Sequence, residues 1–426
     1  MVASMKVLHI VKTAVGANWA YEQVRVLCSL GIEVVVALPS DTEGLAPKYR
    51  EAGAAVVRAN LDLPAREPWR IPATLRACRH LVADVRPDLI HTHHVGTTFI
   101  ARLALGKNSP IPRVFEVPGP LHLEHRFFAW LDITLAGTRD CWIATCRWTH
   151  QKYLELGINP GRVFLSYAGI DTKPFTGART GFLRNELGVS AAAPLIGMVA
   201  YMYAPKRFLL QRQGLKGHED LISALLLVRE ANPNIQAVII GGAWGHAARY
   251  EDRLRKLGAK HCGGWLTFLG TRRDVPSIYP DLDLAVVPSH SENCGGAVEP
   301  LLSGVPVVAT NVGGLTDLVQ ENNTGWLVPA RNPEALARAI SYALQNPAEA
   351  RRRTMQGQKL ARSLFEVEKT ACEVAAIYER IMQSQTHSGV VGISKSRDRV
   401  DPKSAEDSEV SLESKPEFVE PPALQR

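Results

Sequence analysis

The sequence contains no uninterrupted apolar run of the roughly 18–20 residues that a membrane-spanning helix needs. Its start also lacks the apolar core that precedes the cleavage site of a signal peptide, so we expect a cytoplasmic protein. The seven cysteines are scattered and form no CxxC pair, and they indicate neither a disulfide framework nor a zinc site. With 46% hydrophobic and 21% charged residues, the composition excludes fibrous and wholly disordered proteins.

The chain carries 49 Lys and Arg against 42 Asp and Glu, which gives a formal net charge of +7. A basic surplus fits anionic partners such as nucleotides or anionic lipids. Because the basic residues are spread over the whole chain, we expect no nucleic-acid partner.

Short Val- and Ile-rich runs alternate with amphipathic helices, the pattern of a parallel sheet that is covered on both faces. The alternation occurs twice, and the Gly- and Ala-rich stretch 177–194 separates the two sets. We predict an α/β fold of two doubly wound Rossmann-like domains that face a cleft. The predicted segments are an acceptor-side domain over 1–185, a nucleotide-sugar domain with closing helices over 186–385, and a disordered tail over 386–426.

The most informative stretch is 289–310, SHSENCGGAVEPLLSGVPVVAT. Glu292 and Glu299 flank a Gly-Gly turn that opens a helix between two buried strands. The start of a helix offers free N–H groups to a phosphate or sugar oxygen. Carboxylates beside it can each accept the paired hydroxyl donors of a ribose or hexose diol. This stretch therefore predicts a site for a sugar or a nucleotide.

Together with other motifs, this stretch resembles the family 4 retaining glycosyltransferases of the GT-B fold, which use activated nucleotide sugars. The resemblance covers about residues 5–385. It is carried by VLHIV with Gly16, ATCRWTHQKYLELGINPGRVFLSYAGID, LKGHEDLISA, VIIGGAWG, LTFLGTRRDVPSIYPDLDLAVVPSHSEN, EPLLSGVPVVATNVGG and NTGWLVP.

The resemblance implies a role for each matching residue. Lys216 would meet the diphosphate, and Glu299 would hold the ribose hydroxyls. A cation at the diphosphate acts in the transition state, because negative charge grows there as the nucleoside diphosphate departs. The donor sugar would be faced by Glu292 and by the backbone of Asn293, Cys294, Gly295 and Gly296.

In the first half, Gly16 follows the first strand and would let the backbone approach a phosphate or sugar. His122 lies roughly where the family has a histidine near the reacting sugar, with His125 as a weaker candidate. We count Lys216, Glu292 and His122 as catalytic, and we place Arg272 with the substrate-binding residues.

The sequence departs from the family at two places. Six residues separate Glu292 from Glu299, where the family usually has seven. Tyr201 stands where relatives commonly have an arginine, and the segment from there to Lys216 is about ten residues longer than usual. We expect Tyr201 to remain at the substrate site, and we expect the missing charge to come from Lys206, Arg207 or Arg212.

The run HTHH contains His91, His93 and His94, which suggests a metal. Alternate residues of a strand point to opposite faces and no carboxylate cluster accompanies the run, so we expect no metal site. The family resemblance implies no cofactor besides the nucleotide-sugar substrate. The Gly-rich turn at Gly241 does not match a dinucleotide fingerprint, which argues against a dehydrogenase.

Two segments, 66–86 and 121–135, combine basic or aromatic residues with apolar ones. Helices of this kind can lie in a lipid interface, and one interpretation is peripheral contact with an anionic membrane at its inner face. The other is that the apolar residues of 66–86 form an ordinary buried stripe and leave the arginines on the solvent-facing side.

The predicted function is transfer of a sugar, with retention of configuration, from a nucleoside diphosphate sugar to an acceptor, as in polysaccharide biosynthesis. The acceptor stays open among a lipid-linked sugar, a polysaccharide end and a small metabolite. Two other functions remain open: a nucleotide-sugar isomerase or epimerase on the same fold, and a nucleotide-sugar-binding protein without activity.

Overall fold

The computed structural model describes residues 5–175, 177–206 and 211–390. Within these ranges the strands form two sheets, and every strand pair in them is parallel. The first sheet contains β1 (Lys6–Ile10), β2 (Glu33–Leu38), β3 (Ala55–Arg58), β4 (Leu89–Thr92), β5 (Arg113–Val117), β6 (Asp140–Ala144) and β7 (Val163–Leu165). The second contains β8 (Leu195–Val199), β9 (Gln236–Ile240), β10 (Leu266–Gly270), β11 (Leu284–Val287), β12 (Val307–Thr310) and β13 (Trp326–Val328).

The two sheets share one kind of topology. The strand orders are β3-β2-β1-β4-β5-β6-β7 and β10-β9-β8-β11-β12-β13. In each sheet the order reverses beside the first strand of the set, β1 or β8, and the crevice at such a reversal is where open α/β sheets bind ligands. The predicted fold class is confirmed.

Helices connect the strands and cover the sheets. Those of the first half are α1 (Asn18–Ser29), α2 (Ala46–Glu51), α3 (Ile71–Val85), α4 (Val95–Leu105), α5 (Leu121–Glu124), α6 (Arg126–Leu135) and α7 (Arg147–Glu155). Then come α8 (Phe182–Leu187), α9 (His218–Ala231), α10 (Ala248–Cys262), α11 (Val275–Ile278), α12 (Gly295–Leu302), α13 (Leu315–Leu318), α14 (Pro333–Gln345), α15 (Pro347–Phe365) and α16 (Val367–Val390). Among these described helices, none is both long enough and apolar enough to cross a bilayer.

The structure differs from the sequence prediction at two edge strands and at the last helices. The prediction did not include β3 and β13, which are short and partly exposed because each borders its sheet. The predicted helix from Pro347 to about residue 382 is broken at Glu366, whose backbone is extended. A tertiary contact accounts for the break, since the Ile170 N–H donates to the Phe365 carbonyl there.

The predicted disordered tail over 386–426 begins within α16, which continues to Val390. The remainder of that prediction, 391–426, lies outside the described residues. Met1–Met382 forms one compact unit, and the boundary predicted at residue 185 stays a prediction.

The last helix closes the hydrophobic core of the first sheet. On α16, Val374, Ile377 and Tyr378 are buried against residues of β1 and β2 such as Val7 and Val34. The chain therefore begins in the first sheet, builds the second, and returns to cover the first.

Candidate active site

A cavity of about 390 Å³ opens beyond the carboxyl ends of the central strands, between residues of the two halves. It brings together five residues that the sequence predicted for the site: His122, Lys206, Lys216, Glu292 and Asn293. The complete lining is Val95, Pro118, Gly119, Pro120, Leu121, His122, Phe128, Tyr203, Lys206, Leu215, Lys216, Ser291, Glu292 and Asn293.

Lys216 and Glu292 form an ion pair at this cavity, between Nζ and Oε2. Their side chains are 19% and 10% exposed, so the pair is largely shielded from water yet reachable from the cavity. Gly217 makes the arrangement possible because its φ is +71° and an added Cβ would stand 1.9 Å from the Pro288 carbonyl oxygen. A side chain there would push the start of α9 away from the end of β11 and separate the pair.

The loop after β11 is held on both sides. Ser289 Oγ donates to Glu292 Oε2 at 3.0 Å, and the Gly314 N–H donates to the Glu292 carbonyl at 3.2 Å. Asn293 Nδ2 donates to Thr145 Oγ1 at 2.8 Å, which links this loop to the residue after β6 in the first half. These contacts fix the Glu292 carboxylate at the crevice.

The remaining predicted residues of the loop occupy different surroundings. Cys294 is buried, and its thiol lies 3.2 Å from the Gly314 carbonyl, so it can offer a ligand only its backbone. Burial raises the pKa of the Cys294 thiol well above its usual value. Gly295 is exposed at the first position of α12, and no atom lies within 4 Å of where its Cβ would stand. Gly296 packs against Val287, where an added Cβ would come within 2.8 Å.

Glu299 lies one helical turn further along α12 and is half-buried, outside the lining of the cavity. Its carboxylate accepts no hydrogen bond from the described residues, and burial raises its pKa to about 7. The structure therefore brings Lys216 and Glu292 together but leaves Glu299 on the neighbouring turn. A carboxylate without hydrogen-bond donors can accept the two hydroxyl donors of a diol.

His122 is nearly buried at the cavity wall and is held from behind. Its Nε2 lies 3.1 Å from Tyr153 Oη, and Tyr153 Oη donates to Asp132 Oδ2 at 2.7 Å. Burial opposes ionisation of Asp132, but the ion pair with Arg102 holds its pKa well below the usual range. This chain of contacts orients the His122 ring. His125 does not line the cavity and packs against Phe128.

Gly16 and Tyr201 meet at an aromatic group beside the cavity. The Trp244 ring is centred 4.9 Å from that of Tyr201 and 6.1 Å from that of Tyr203. Gly16 has φ +83°, and an added Cβ would stand 3.0 Å from a ring carbon of Trp244. Lys216 Nζ lies 5.9 Å from the centroid of the Tyr203 ring. Tyr201 thus packs against the Trp244 ring and, unlike the arginine that relatives commonly have there, brings no positive charge to a diphosphate.

The basic residues predicted near the site lie in different surroundings in the structure. Lys206 lines the cavity, and partial burial, together with the nearby Lys12, lowers its pKa. Arg212 lines a neighbouring cavity, and Arg207 lies outside the described residues. Arg272 follows the edge strand β10 and is engaged in ion pairs with Glu186 and Asp274. It does not line the active-site cavity.

The sequence analysis expects no carboxylate cluster beside the HTHH run, and the structure places one carboxylate there. Glu116, on the adjacent strand β5, places Oε2 3.0 Å from His91 Nε2 and 3.2 Å from His93 Nδ1. His9 Nδ1 lies 2.9 Å from His93 Nε2, and all three rings are fully buried. The ring nitrogens of the three histidines lie within 4.8 Å of one another, close enough to hold a metal ion. We call His9, His91, His93, Glu116 and Tyr378 the histidine cluster.

Several residues of the site were missed in the sequence. Tyr203 follows β8 by four positions, and the rule that ligands bind beyond strand ends could have indicated it. Thr145 and Tyr153 act through Asn293 and His122, and no local pattern marks such partners.

Two protein-family models match this sequence. The family model described as "Glycosyltransferase Family 4" matches residues 16–174, and that described as "Glycosyl transferases group 1" matches residues 208–360. A D-inositol 3-phosphate glycosyltransferase of Acidothermus cellulolyticus is 28% identical over 363 residues, which cover 75% of each chain. Another, from Mycolicibacterium gilvum, is 32% identical over 186 residues, 43% of this chain and 39% of the relative.

Solved structures share the fold. HepE of Anabaena in complex with UDP and glucose has a TM-score of 0.73 and 19% identity over 88% of this chain and 99% of its own. A putative UDP-N-acetylglucosamine 2-epimerase of Listeria monocytogenes has a TM-score of 0.59 and 17% identity over 88% and 95%. These likenesses establish the fold, and the two family models together span most of the sequence. The chain therefore belongs to the group 1 and family 4 glycosyltransferases.

Proposed function

We propose that this glycosyltransferase moves a sugar from a nucleoside diphosphate sugar to an acceptor with retention of configuration. The observation that carries the proposal is the ion pair of Lys216 with Glu292 in a cavity that both halves line. Lys206 lines the same cavity and adds a second cation. Together the two lysines can neutralise the charge that grows on a departing diphosphate.

The pairing suggests how the donor would enter. Without a ligand, Glu292 satisfies the Lys216 ammonium, and a diphosphate is the stronger competitor for it because it carries more charge. Its arrival would free the Glu292 carboxylate to accept hydroxyl donors of the sugar. Binding and site assembly would then be a single event.

For retention, we propose attack from the face on which the diphosphate departs. The bond between the anomeric carbon and the phosphate oxygen breaks, and the acceptor oxygen forms the new bond to that carbon. The acceptor's proton passes to the departing phosphate oxygen, so the products are a glycoside and a nucleoside diphosphate. His122, held by Tyr153, would orient the sugar or phosphate.

We propose that Glu299 binds the ribose hydroxyls of the donor. Its half-buried carboxylate has no hydrogen-bond donor among the described residues, and a diol would provide two. The complex of HepE with UDP and glucose makes a UDP-sugar the first donor to test.

The acceptor side of the cavity is largely apolar, with Val95, Pro120, Leu121 and Phe128 in its wall. On α6, next to Phe128, the side chains of Phe127 and Trp130 are 54% and 58% exposed, and the neighbouring Arg126 is also exposed. This surface supports a lipid-linked acceptor and peripheral contact with an anionic membrane from the cytoplasmic side. Co-sedimentation with anionic vesicles, compared with zwitterionic vesicles, tests the membrane contact.

The transfer proposal is tested with a panel of nucleoside diphosphate sugars. The donor that raises the melting temperature most is incubated with candidate acceptors in EDTA, because we propose that no metal cofactor is needed. The expected result is release of nucleoside diphosphate with a glycoside whose anomeric configuration, read by NMR, equals that of the donor. An inverted product would contradict retention. An epimerised nucleotide sugar formed from donor alone would identify an isomerase, and stabilisation without any product would identify a binding protein.

A further inference from the structure

A second cavity, of about 780 Å³, lies beside the active-site cavity and is lined mainly by basic and polar side chains. Its size is in the range of small-molecule binding sites. The lining residues are Ala204, Pro205, Gln211, Arg212, His246, Arg249, Tyr250 and Arg253. We call it the basic cavity.

Two guanidinium groups of the basic cavity lack an acidic partner. Arg212 and Arg249 are exposed, and neither forms an ion pair with any described residue. The third, Arg253, is positioned by Glu219, whose Oε1 lies 3.2 Å from Arg253 Nη2. Tyr250 Oη donates to the other oxygen of Glu219 at 2.7 Å. The Glu219 carboxylate stands behind the lining, and none of the described residues that line the cavity is acidic.

The basic cavity and the active-site cavity share a wall. Within residues 203–206, Tyr203 and Lys206 line the active-site cavity, whereas Ala204 and Pro205 line the basic cavity. One extended stretch of four residues therefore separates the two spaces. A ligand that reaches over this stretch can place a reacting group on one side and an anionic group on the other.

We propose that the basic cavity binds a phosphoryl group carried by the acceptor, an inference that rests on the proposed glycosyl transfer. Arginine forks match phosphate oxygens in pairs, and several cations without acidic neighbours suit a dianion better than a carboxylate. The donor diphosphate is assigned to Lys216 on the other side of the wall, which leaves the basic cavity for a different anion. An acceptor that carries phosphate would meet both cavities at once.

The test measures binding directly, without turnover. Inorganic pyrophosphate is titrated by calorimetry, at constant ionic strength, into the full chain and into the double variant R212Q/R249Q. The matched control is K256Q/K260Q, which removes the same charge from exposed positions outside the cavity, on α10, the helix that carries Arg249. We expect at least about tenfold weaker binding in R212Q/R249Q and less than about twofold in the control, because each lost charge-assisted hydrogen bond weakens binding.

Three results would overturn the proposal. The first is that the wild-type chain does not bind pyrophosphate, and the second is that both double variants bind it equally weakly. The third is that K216A loses binding whereas R212Q/R249Q binds like the wild type. The last result would place the anion in the active-site cavity and leave the transfer proposal intact. Thermal melting of each variant confirms that it is folded.

A kinetic measurement separates an acceptor-borne phosphate from a free anion. With the acceptor found in the transfer assay, pyrophosphate is expected to raise the KM for that acceptor and leave kcat unchanged. A lowered kcat with unchanged KM would mark a free anionic effector and overturn the assignment to the acceptor. If the protein transfers no sugar but R212Q/R249Q still binds pyrophosphate more weakly than the wild type, the proposed function is refuted and the anion site is not.

Discussion

The molecule contains two clusters of charged and titratable side chains that are built in opposite ways. The histidine cluster lies inside the first sheet, where each ring is fully buried and Glu116 is shared by His91, His93 and the Gln23 amide. The Lys216–Glu292 pair lies at a cavity, and each partner retains some exposure. The first is shielded from solvent, and the second faces a cavity that a ligand can enter.

The two groups differ in burial: His9, His91 and His93 are fully buried, whereas the side chains of Lys216 and Glu292 are 19% and 10% exposed. In the histidine cluster, burial lowers the pKa of His91 to about 4, and the neighbouring rings hold the pKa of Glu116 well below its usual range although its own burial opposes this. His9 contacts His93, Tyr378 contacts His91 and His9, and the Gln23 amide donates to Glu116. In the open pair a single ion pair leaves spare lone pairs and protons, which a ligand can take over.

The largest expected effect is loss of stability when the closed cluster is broken. Glu116→Ala removes the carboxylate that faces His91, His93 and Gln23 in a fully buried site. We expect the free energy of unfolding to fall by about 3–5 kcal/mol, as is typical for breaking a buried charged network. Urea unfolding followed by circular dichroism measures it. The control Glu33→Ala, in an exposed ion pair with Lys6, should cost less than about 1 kcal/mol, and an equal loss in both variants would contradict the distinction.

Breaking the open pair should affect chemistry and spare the fold. Lys216→Ala removes the cation proposed to meet the diphosphate, and we expect turnover to fall about 100- to 1000-fold, or about 3–4 kcal/mol in the barrier. Transfer kinetics give the rate, and thermal melting should change little. Lys256→Ala, at an exposed position of α10, is the matched control. Unchanged turnover in Lys216→Ala would refute its assignment.

Glu299 lies between the two extremes: it is half-buried, and no described residue donates a hydrogen bond to its carboxylate. Because the folded pKa of Glu299, about 7, exceeds the ordinary value of 4.5, its stabilising effect is complete below pH 4.5 and is lost as pH rises through 7. Glu299→Gln should therefore raise ligand-free stability at pH 8 by about 2 kcal/mol and change it little at pH 4. It should also abolish stabilisation by the donor. Denaturation at both pH values, with and without donor, measures these effects, and a loss of stability at pH 8 would contradict them.

The smallest effect concerns the pH dependence of donor binding. If the ribose hydroxyls require ionised Glu299, donor affinity rises with pH, by about tenfold from pH 6 to pH 8 for a pKa of about 7. Calorimetric titration across this range measures the affinity. In Glu299→Gln the profile should be flat, and a wild-type profile that falls with rising pH would count against the proposed contact.

Local patterns sufficed to predict much of the fold and part of the site. Buried Val- and Ile-rich runs identify the central strands, and the motifs at Lys216 and Glu292 place the pair at strand and helix ends. The histidine cluster was not predicted because it depends on strand register. His9 and His91 are neighbours only because β1 pairs with β4, and Glu116 joins them only because β5 pairs with β4. Sequence spacing carries no record of such pairing.

The short edge strands escaped prediction for a related reason. β3 (AVVR) and β13 (WLV) are four and three residues long, and apolar runs as short as these are not distinctive enough to identify a strand. The spatial position of Glu299 also depends on how α12 packs, which motif matching does not specify. The resemblance therefore predicts that Glu299 binds the ribose, but it does not predict that Glu299 lies outside the lining of the cavity.

The return of α16 to the first sheet has a practical consequence for anyone who divides this protein. Tyr378 contacts His91 and His9 from the far end of the described chain, and Ile377 fills the same apolar layer. A fragment that stops after β7 would expose that layer and leave two imidazoles without their phenol partner. We expect such a fragment to aggregate, and to be rescued by a separate peptide that spans 367–382.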